Sequence, residues 1–330
     1  METFTWGIIG PGNIATDFSA DLELAGNAHH RLGAILHHDI KKAEDFAEKE
    51  NVPLYFDNIA AFLRDSAVDA VYIATPHPMH HQQAIACLEH RIPVLCEKPL
   101  AINSRQVQEM INASIQHNTF LLDGMWIRFL PSINKLLELI ESDTIGKIRT
   151  LKADMSYKAP YDPESRYFNP ALGGGSLLDL GIYPVFLSHL LLGKPAGIQA
   201  YAKLSDKKID ETCAMLFHYQ DGAHALLESS LITQTELIAT VYGETGKLTI
   251  LSHWNEKPPG IVHETYEGEK TAHPLDWKGR GLHYEMEELY NCVRQGRLYS
   301  EKLCHRFSLD LMETLDTIRQ QTGIRYPADE

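Results

Sequence analysis

Three separated groups of residues in this sequence could carry chemistry, and each lies at the end of a regular element. Residues 10–15, GPGNIA, join an apolar run to an amphipathic stretch. Residues 97–99, EKP, follow another apolar run, and residues 173–176, GGGS, precede Asp179 and Tyr183. An amine, a carboxyl and a phenol can together bind a hydroxyl or carbonyl group and move a proton on it.

The glycine-rich segment predicts a dinucleotide site. Gly10 permits a tight turn, Gly12 lets a pyrophosphate approach the backbone, and Ala15 is small enough for the helix to pack on the strand. The contact region would include Asn13 and Ile14 at the helix start. A glycine-rich turn in an unrelated α/β domain is the alternative, and the strand before it and helix after it favour the dinucleotide.

The end of the second predicted strand selects between the two nicotinamide dinucleotides. An acid there binds the ribose of NAD, whereas positive or hydrogen-bonding groups suit the 2'-phosphate of NADP. The chain carries His37 and His38 there, and two lysines follow shortly after. We therefore favour NADP, with NAD possible, and expect Asp39 to cap the next helix. If both histidines are only exposed loop residues, the preference is undetermined.

Lys98, Asp179 and Tyr183 each have an alternative interpretation. Lys98 stands where a buried parallel strand ends, the edge at which α/β sheets bind ligands, although a lysine is more often an ordinary surface residue. If a helix starts at Ser176, Asp179 and Tyr183 share one face. The alternative is a capping box between Ser176 and Asp179, with Tyr183 as a core aromatic.

The histidines of residues 77–81, HPMHH, resemble a metal-ligand cluster. They lack a supporting carboxylate or cysteine at a suitable spacing, so we predict a loop-to-helix junction beside the cofactor and no metal site.

Periodicity predicts two domains. Residues 1–124 alternate strands (4–9, 30–36, 71–74, 93–96, 119–123) with helices (13–24, 40–50, 79–90, 104–117), which indicates a Rossmann-type, doubly wound parallel sheet. Residues 125–330 predict an α+β domain with a large, mostly antiparallel open sheet. Its strands are expected at 147–157, 198–204, 212–219, 223–231, 237–242 and 248–251, and its helices at 130–140, 173–192, 282–294 and 307–321.

Composition excludes several classes of protein. The 330 residues carry 30 basic and 44 acidic side chains and a formal charge of -14, which disfavours nucleic acid and anionic membranes as partners. The start, METFTWGIIGPG, lacks the features of a signal peptide, and uninterrupted apolar runs are short, so a cytoplasmic location is expected. The five cysteines are scattered, which predicts neither a disulfide framework nor a thiolate zinc site.

Five motifs occur in an order that resembles the Gfo/Idh/MocA oxidoreductase family over essentially the whole chain. They are GPGNIA at 10–15, VYIATP at 71–76 with His80, EKP at 97–99, MWIRFLP at 125–131, and NPALGGGSLLDLGIY at 169–183. Within the family, the sequence looks most like the branch of dimeric dihydrodiol dehydrogenases and NADP-dependent D-xylose dehydrogenases. In two departures from relatives, His38 replaces a frequent arginine and Pro184 follows Tyr183.

The resemblance implies an NAD(P)-dependent dehydrogenase or reductase acting on a sugar, polyol or cyclic diol. It makes Lys98 the catalytic lysine, Asp179 a supporting acid and Tyr183 the aromatic partner, and it implies a cis peptide before Pro99 and a homodimer or larger homo-oligomer through the open sheet. The implied cofactor-side positions are Gly10, Gly12, Asn13, Ile14, His37, His38, Ala74, Thr75, Pro76, His80, Glu97, Lys98, Trp126 and Arg128.

The implied mechanism leaves one assignment open. A tyrosine has a pKa of about 10, and a neighbouring ammonium lowers it by favouring the phenolate, so Tyr183 could be the general acid/base with Lys98 orienting the substrate. A desolvated lysine can also be the base, so the two roles could be exchanged. The alternatives for function are a glucose-fructose oxidoreductase type with tightly bound NADP and a non-catalytic dinucleotide-binding regulator.

Overall fold

The computed structural model describes residues 2–329, which form two compact units. The first contains residues 2–101, 105–129 and 278–309, and the second contains 102–104, 130–277 and 310–329. The sequence-based division at 124/125 assigns residues 278–309 to the second domain, so the predicted domains and the compact units differ in this segment. Each unit has its own sheet and core.

The first unit is built on a six-stranded parallel sheet. Its strands are Thr3–Ile9 (β1), His29–Leu36 (β2), Leu54–Phe56 (β3), Ala70–Ile73 (β4), Val94–Glu97 (β5) and Leu121–Gly124 (β6). They lie in the order β3-β2-β1-β4-β5-β6, the doubly wound arrangement that the alternating pattern predicts. The sheet is buried from β4 to its β6 edge, because every residue of β4, β5 and β6 is buried.

Helices connect these strands. They are Asn13–Asp21 (α1), Ile40–Glu50 (α2), Ile59–Asp65 (α3), His80–Glu89 (α4) and Ser104–His117 (α5). The prediction for α1 is too long, because residues 22–24 form a 3-10 turn. The strand β3 and the helix α3 are absent from the sequence-based prediction. In β3 only three residues pair, and Leu54 and Tyr55 are exposed, so no apolar alternation marks this edge strand.

The second unit contains an eight-stranded sheet. Its strands are Thr150–Ser156 (β7), Gly197–Leu204 (β8), Asp210–His218 (β9), His224–Ser230 (β10), Ala239–Tyr242 (β11), Gly246–Ile250 (β12), Gly260–Thr265 (β13) and Lys270–Pro274 (β14). The order is β14-β13-β12-β11-β7-β10-β9-β8, and only the β7–β10 pair is parallel, which confirms the mostly antiparallel prediction. The sequence does not predict β13 and β14, whose side chains show no regular burial.

Four further helices complete the chain: Pro131–Glu141 (α6), Ile182–Leu192 (α7), His283–Arg294 (α8) and His305–Thr322 (α9). The helix α7 packs on β7 and β10 and is buried on all sides through residues 182–189. The segment Pro170–Leu192 is long and apolar enough to cross a membrane, but 83% of its most apolar window is buried inside the fold. Such burial is typical of a central core helix.

Candidate active site

The glycine-rich turn after β1 has the shape that a dinucleotide requires. Gly10 has a φ of +98°, and a Cβ added there would lie 2.8 Å from the Thr75 side chain, so only glycine fits. At Gly12 the nearest atom to an added Cβ is the Ala74 carbonyl oxygen, 4.0 Å away. The first turn of α1 has no side-chain cap and no acid, so its backbone N–H groups can receive a pyrophosphate. The predicted contacts Gly10, Gly12, Asn13 and Ile14 all lie at this turn.

The end of β2 presents two imidazoles. The rings of His37 and His38 lie 4.2 Å apart between centroids, and the Asp39 backbone N–H donates to His37 Nδ1 at 3.0 Å. Burial, the main cause, and the neighbouring His38 and Lys42 lower the pKa of His37. The Asp39 side chain accepts from Lys41 N at 3.0 Å, which confirms the predicted cap of α2. The carboxylate of Asp39 is therefore used locally.

Residues 74–76 follow β4 beside the glycine-rich turn. The Ala74 N–H donates to Ile9 O at 2.8 Å, which joins the ends of β4 and β1. Thr75 Oγ1 donates to Gln83 Oε1 at 2.6 Å, so a residue of α4 holds this loop. Ala74, Thr75 and Pro76 are half-buried along the carboxyl edge of the sheet, where parallel α/β folds bind ligands.

Lys98 stands where β5 ends, and the Lys98–Pro99 peptide is cis, as the resemblance implies. The buried Glu97 carboxyl holds this turn: Oε1 accepts from Tyr72 OH at 2.5 Å and Oε2 accepts from Lys98 N at 3.2 Å. The Tyr72 ring stacks on Phe18 of α1, with centroids 4.0 Å apart. Burial and the Glu97 carboxyl raise the pKa of Tyr72, so the phenol remains a donor. The Lys98 side chain is half-buried.

Two further buried acids lie near Glu97. Asp123 of β6 pairs with Cys96 in the sheet register, and burial, with a smaller contribution from Glu97, raises the pKa of Asp123 to about 7 although Ser308 donates to it. Glu285 of α8 is fully buried, and burial followed by the charges of Glu97 and Asp123 raises its pKa. These carboxyls therefore favour the protonated, neutral form.

Trp126 and Arg128 lie in the 3-10 turn Trp126–Phe129 that follows β6. Trp126 is buried, and Arg128 Nε donates to the Lys302 carbonyl oxygen at 2.9 Å. The turn belongs to the first unit together with the glycine-rich turn and the Lys98 turn. All the predicted cofactor-side residues therefore belong to one compact unit.

In the second unit the glycine-rich loop leads into a π-helical turn, Leu177–Gly181, and then into α7. Gly173 and Gly175 have φ values of +77° and +128°. Buried Asp210 of β9 holds the start of the turn: its Oδ2 accepts from Ser176 Oγ at 2.8 Å and from Leu177 N at 2.6 Å. The helical start expected at Ser176 is confirmed, and the first turn that follows, Leu177–Gly181, has π geometry. The helix continues without a break to Tyr183.

Asp179 and Tyr183 both lie on this helical segment and are both buried. Arg166 Nη1 donates to Asp179 Oδ1 at 3.0 Å, and the Arg166 guanidinium carbon lies 4.4 Å from the Tyr167 ring centroid. Burial, the largest single effect, acts to lower the pKa of Arg166, but the Asp179 carboxylate and the Tyr167 hydroxyl together outweigh it and raise that pKa. The capping-box alternative is wrong, because the Ser176 hydroxyl bonds Asp210 and Asp179 bonds Arg166.

Sequence reasoning misses four residues that support these sites: Tyr72, Arg166, Asp210 and Glu285. Each acts through a partner that is far away in sequence or lies in an irregular loop, as with Tyr72 and Glu97, which are 25 residues apart. Periodicity and short motifs carry no signal for such pairs. Arg166 lies in the loop before the GGGS segment, where other charged residues also occur, so its charge does not mark it.

The family models match both parts of the chain. Residues 4–123 match the model described as "Oxidoreductase family, NAD-binding Rossmann fold", and residues 133–249 match the model of the GFO/IDH/MocA C-terminal domain. The two matches together cover well over half of the sequence.

Whole-length similarity extends to named enzymes and solved structures. The chain is 31% identical to trans-1,2-dihydrobenzene-1,2-diol dehydrogenase of Mus musculus and 30% identical to that of Xenopus tropicalis, covering 98% of this chain in both cases and 98% and 99% of the relatives. Its fold is similar to aldose-aldose oxidoreductase of Caulobacter crescentus, with a TM-score of 0.88, 21% identity and 98% coverage of each chain. A levoglucosan dehydrogenase gives a TM-score of 0.87 at 16% identity, again with 98% coverage of each chain. This chain belongs to the Gfo/Idh/MocA family of NAD(P)-dependent oxidoreductases.

Proposed function

We propose that this protein transfers a hydride between NADP and a secondary hydroxyl carbon of a sugar, a polyol or a cyclic diol. The observation that carries the proposal is the position of Lys98, whose backbone N–H donates to Glu97 at the carboxyl end of β5, on the same edge of the parallel sheet as a turn that fits a dinucleotide. Relatives that match the chain along its whole length are named as dehydrogenases of a cyclic diol. That substrate class also suits the polar groups Arg166, Asp179 and Tyr183.

The residues of this chain have to manage the proton and the orientation of the substrate. The nicotinamide ring supplies the hydride chemistry when it is bound. We assign Tyr183 as the general acid/base and Lys98 as the cation that hydrogen-bonds the substrate oxygen and stabilises negative charge on it. The exchange of these two roles is an outcome of the test below.

Asp179 is assigned as a hydrogen-bonding partner that orients the substrate. Its carboxyl is almost fully buried, and Arg166 donates to it at 3.0 Å, which favours the ionised form. An ionised carboxylate accepts hydrogen bonds and donates none, so it can hold a substrate hydroxyl by accepting a hydrogen bond from it. This requirement favours polyhydroxylated substrates over simple ketones.

The preference for NADP follows from the groups at the end of β2. There His37 is half-buried and His38 is exposed. The Asp39 carboxylate accepts a hydrogen bond from the backbone N–H of Lys41, so it is engaged in capping α2. Imidazole N–H groups can donate to a phosphate, and a free carboxylate would repel it. We expect a lower Kd for NADP than for NAD, measured by calorimetry, and His38→Asp should reverse the order.

A spectrophotometric assay tests the activity. The absorbance of reduced nicotinamide is followed with aldoses, polyols and cyclic trans-diols, with the wild type, Lys98→Met and Tyr183→Phe. We expect each variant to lose about 10²- to 10⁴-fold in kcat, while Tyr161→Phe, at an exposed tyrosine, keeps the wild-type rate. We expect a bell-shaped pH profile of kcat in the wild type. If Tyr183→Phe loses one limb of this profile, Tyr183 is the general acid/base; if Lys98→Met loses it instead, Lys98 is. Equal turnover by all variants would sink the proposal.

We also propose that the protein associates with another copy of itself through the open face of the eight-stranded sheet. One face is buried in β9 and β10 and half-buried in β8, whereas the other face presents Tyr201, Leu216 and Leu226 to solvent. Leu216 pairs with Leu226 in the register, which makes the patch continuous. Contiguous exposed apolar area of this kind is typical of an association surface.

Light scattering after size exclusion tests this association. We expect the wild type to elute as a dimer or larger oligomer and Leu226→Glu to dissociate it. The control, Ile115→Glu, adds the same charge at an exposed apolar side chain of α5 and should leave the oligomer intact. A monomeric wild type at micromolar concentration would contradict the proposal.

A further inference from the structure

His80 lies between two backbone carbonyl groups. It is the first residue of α4, and its side chain is completely buried. Nδ1 lies 2.9 Å from the Pro99 carbonyl oxygen, and Nε2 lies 2.7 Å from the Thr75 carbonyl oxygen. The imidazole therefore joins the loop after β4 to the cis-proline turn that carries Lys98. All these residues belong to the first unit.

Each of the two contacts requires a hydrogen on its own ring nitrogen. A carbonyl oxygen only accepts hydrogen bonds, whereas a neutral imidazole has one N–H donor and one nitrogen lone pair. In either neutral tautomer, one ring nitrogen would face a carbonyl oxygen lone pair across less than 3 Å without a hydrogen between them. A ring that carries protons on both nitrogens satisfies both carbonyls, and a buried polar group without its partner is costly.

Several charges act on this ring. Burial, which is the largest effect, and the Lys98 ammonium lower the pKa of His80, whereas the hydrogen bonds to Pro99 and Thr75 raise it. The His77 ring lies 5.9 Å away between centroids. We give most weight to the two short contacts, because each needs a donor.

We propose that His80 is a positioning residue that donates from both ring nitrogens and so holds the Lys98–Pro99 turn against the loop after β4. Thr75 lies on that loop and closes over Gly10, and its hydroxyl bonds Gln83 of α4. The clamp thus couples the place of Lys98 to the wall of the dinucleotide crevice. An amide side chain cannot replace it, because its oxygen would meet one carbonyl. The inference rests on the proposed function only for the catalytic role of Lys98.

Nitrogen-15 NMR of the histidine-labelled, full-length protein reads the ring directly. We expect both nitrogens of His80 at neutral pH to show a bonded hydrogen and the shifts of an imidazolium ring, with the signal assigned by its loss in His80→Gln. One nitrogen with the shift of an unprotonated ring atom would overturn the double-donor inference. This measurement needs no substrate, so it stands or falls apart from the proposed function. The protonation state is measured in the wild type, and the variant serves only to assign the signal.

Kinetics test the positioning role. A displacement of Lys98 by about 1 Å is expected to lower kcat in His80→Gln by roughly 100-fold, with little change in the KM for the dinucleotide. The matched control is His81→Gln, at the next residue of α4, whose Nε2 lies 2.7 Å from Glu109 Oε2 of α5. The double variant His80→Gln/Lys98→Met should have a kcat no lower than that of Lys98→Met alone, because both substitutions remove the same function, the action of the Lys98 amine on the substrate. Equal kcat values for the two glutamine variants, or additive losses in the double variant, would overturn the role.

Discussion

The ion pair between Arg166 and Asp179 makes the most specific prediction for a single residue. In Arg166→Gln the buried Asp179 carboxylate loses its charged partner, and hydrogen bonds to charged groups contribute about 1.5–3 kcal/mol, or roughly a 10- to 150-fold change. We expect kcat/KM to fall by that factor. Arg166→Lys should recover part of the loss, since it keeps the charge but not the planar fork.

The control for this prediction is an arginine of similar exposure. Arg105 pairs with Glu109 on the surface of α5, and its side chain is exposed to the same degree as that of Arg166. Arg105→Gln should leave kcat/KM unchanged, because exposed ion pairs contribute little. If Arg166→Gln keeps the wild-type kcat/KM, the action of Asp179 on the substrate does not depend on the Arg166 charge.

Asp123 makes stability depend on pH in an unusual direction. Its folded-state pKa is raised from 3.8 to about 7, so the folded chain keeps a proton that the unfolded chain releases. Stability therefore falls as the pH rises between these two values. Asp123→Asn mimics the neutral form and should remove this loss, on the order of 4 kcal/mol for about three pKa units. Urea unfolding at about pH 5 and about pH 8 measures the part of this loss that falls above pH 5, roughly 2.7 kcal/mol for about two pKa units.

The exposed Asp206→Asn is the control, and it should leave the pH dependence of unfolding as in the wild type. If Asp123→Asn shows the same decline in stability towards high pH as the wild type, Asp123 is ionised in the fold. Glu285→Gln should act in the same direction as Asp123→Asn, because burial also raises the pKa of Glu285.

The residues of the site divide by how far apart their partners lie in sequence. Gly10 and Gly12 are predictable, because a local turn and helix start dictate them, and the EKP motif places Lys98 at a strand end. Arg166 and Glu285 are not, because their roles arise from contacts that only the fold creates. The sequence predicts which groups carry the chemistry but not the groups that set their charge.

At the scale of the element, the loop before α7 depends on Gly175. Its φ of +128° is costly for an L side chain, and an added Cβ would collide with Asp210 Oδ1. Asp210 also holds Ser176 and Leu177, so a displaced Asp210 releases the π-helical turn that carries Asp179. We expect Gly175→Ala to lower stability by more than about 1–3 kcal/mol, the cost of backbone strain alone, and to lower kcat.

Gly222→Ala is the matched control for Gly175→Ala. Gly222 has a φ of +88°, and an added Cβ there would have no heavy atom within 4 Å. The Gly222→Ala variant therefore has the backbone strain without a steric collision. Thermal unfolding and kcat of the two variants separate the effects. If both variants lose equal stability and keep kcat, the contact with Asp210 does not hold the turn.

The elements themselves follow burial. The strands β4, β5 and β6 each begin with apolar residues and are buried on both faces, and the sequence predicts all three. The edge strands β3 and β14 are largely exposed, and no pattern distinguishes them from loops. The π-helical turn is also beyond prediction, since α and π turns present nearly the same apolar spacing over five residues.

At the scale of the whole molecule, the first unit is discontinuous in sequence. Residues 278–309 return to it through α8, and periodicity cannot show this, because a helix pattern does not say which sheet it joins. Asp21 anchors the returning chain: its carboxylate accepts from Gly281 N at 2.8 Å and from Leu282 N at 2.9 Å. Burial acts to raise the pKa of Asp21, but the bonds from His283 and these N–H groups lower it overall.

A fragment ending at residue 129 should therefore fold poorly. Without α8 the buried Met286 and Leu289 are missing, the Asp21 carboxylate loses its backbone donors, and the Phe4 ring loses Tyr290, 5.3 Å away. Burial of each large apolar side chain contributes about 1.5–3 kcal/mol, a large fraction of the total stability of a domain. We expect residues 1–129 to show no cooperative thermal unfolding by circular dichroism, whereas residues 1–129 joined by a flexible linker to 278–309 unfold cooperatively. Asp21→Ala in the joined form should lower its Tm, and a cooperative, stable 1–129 fragment would show that the returning segment is dispensable.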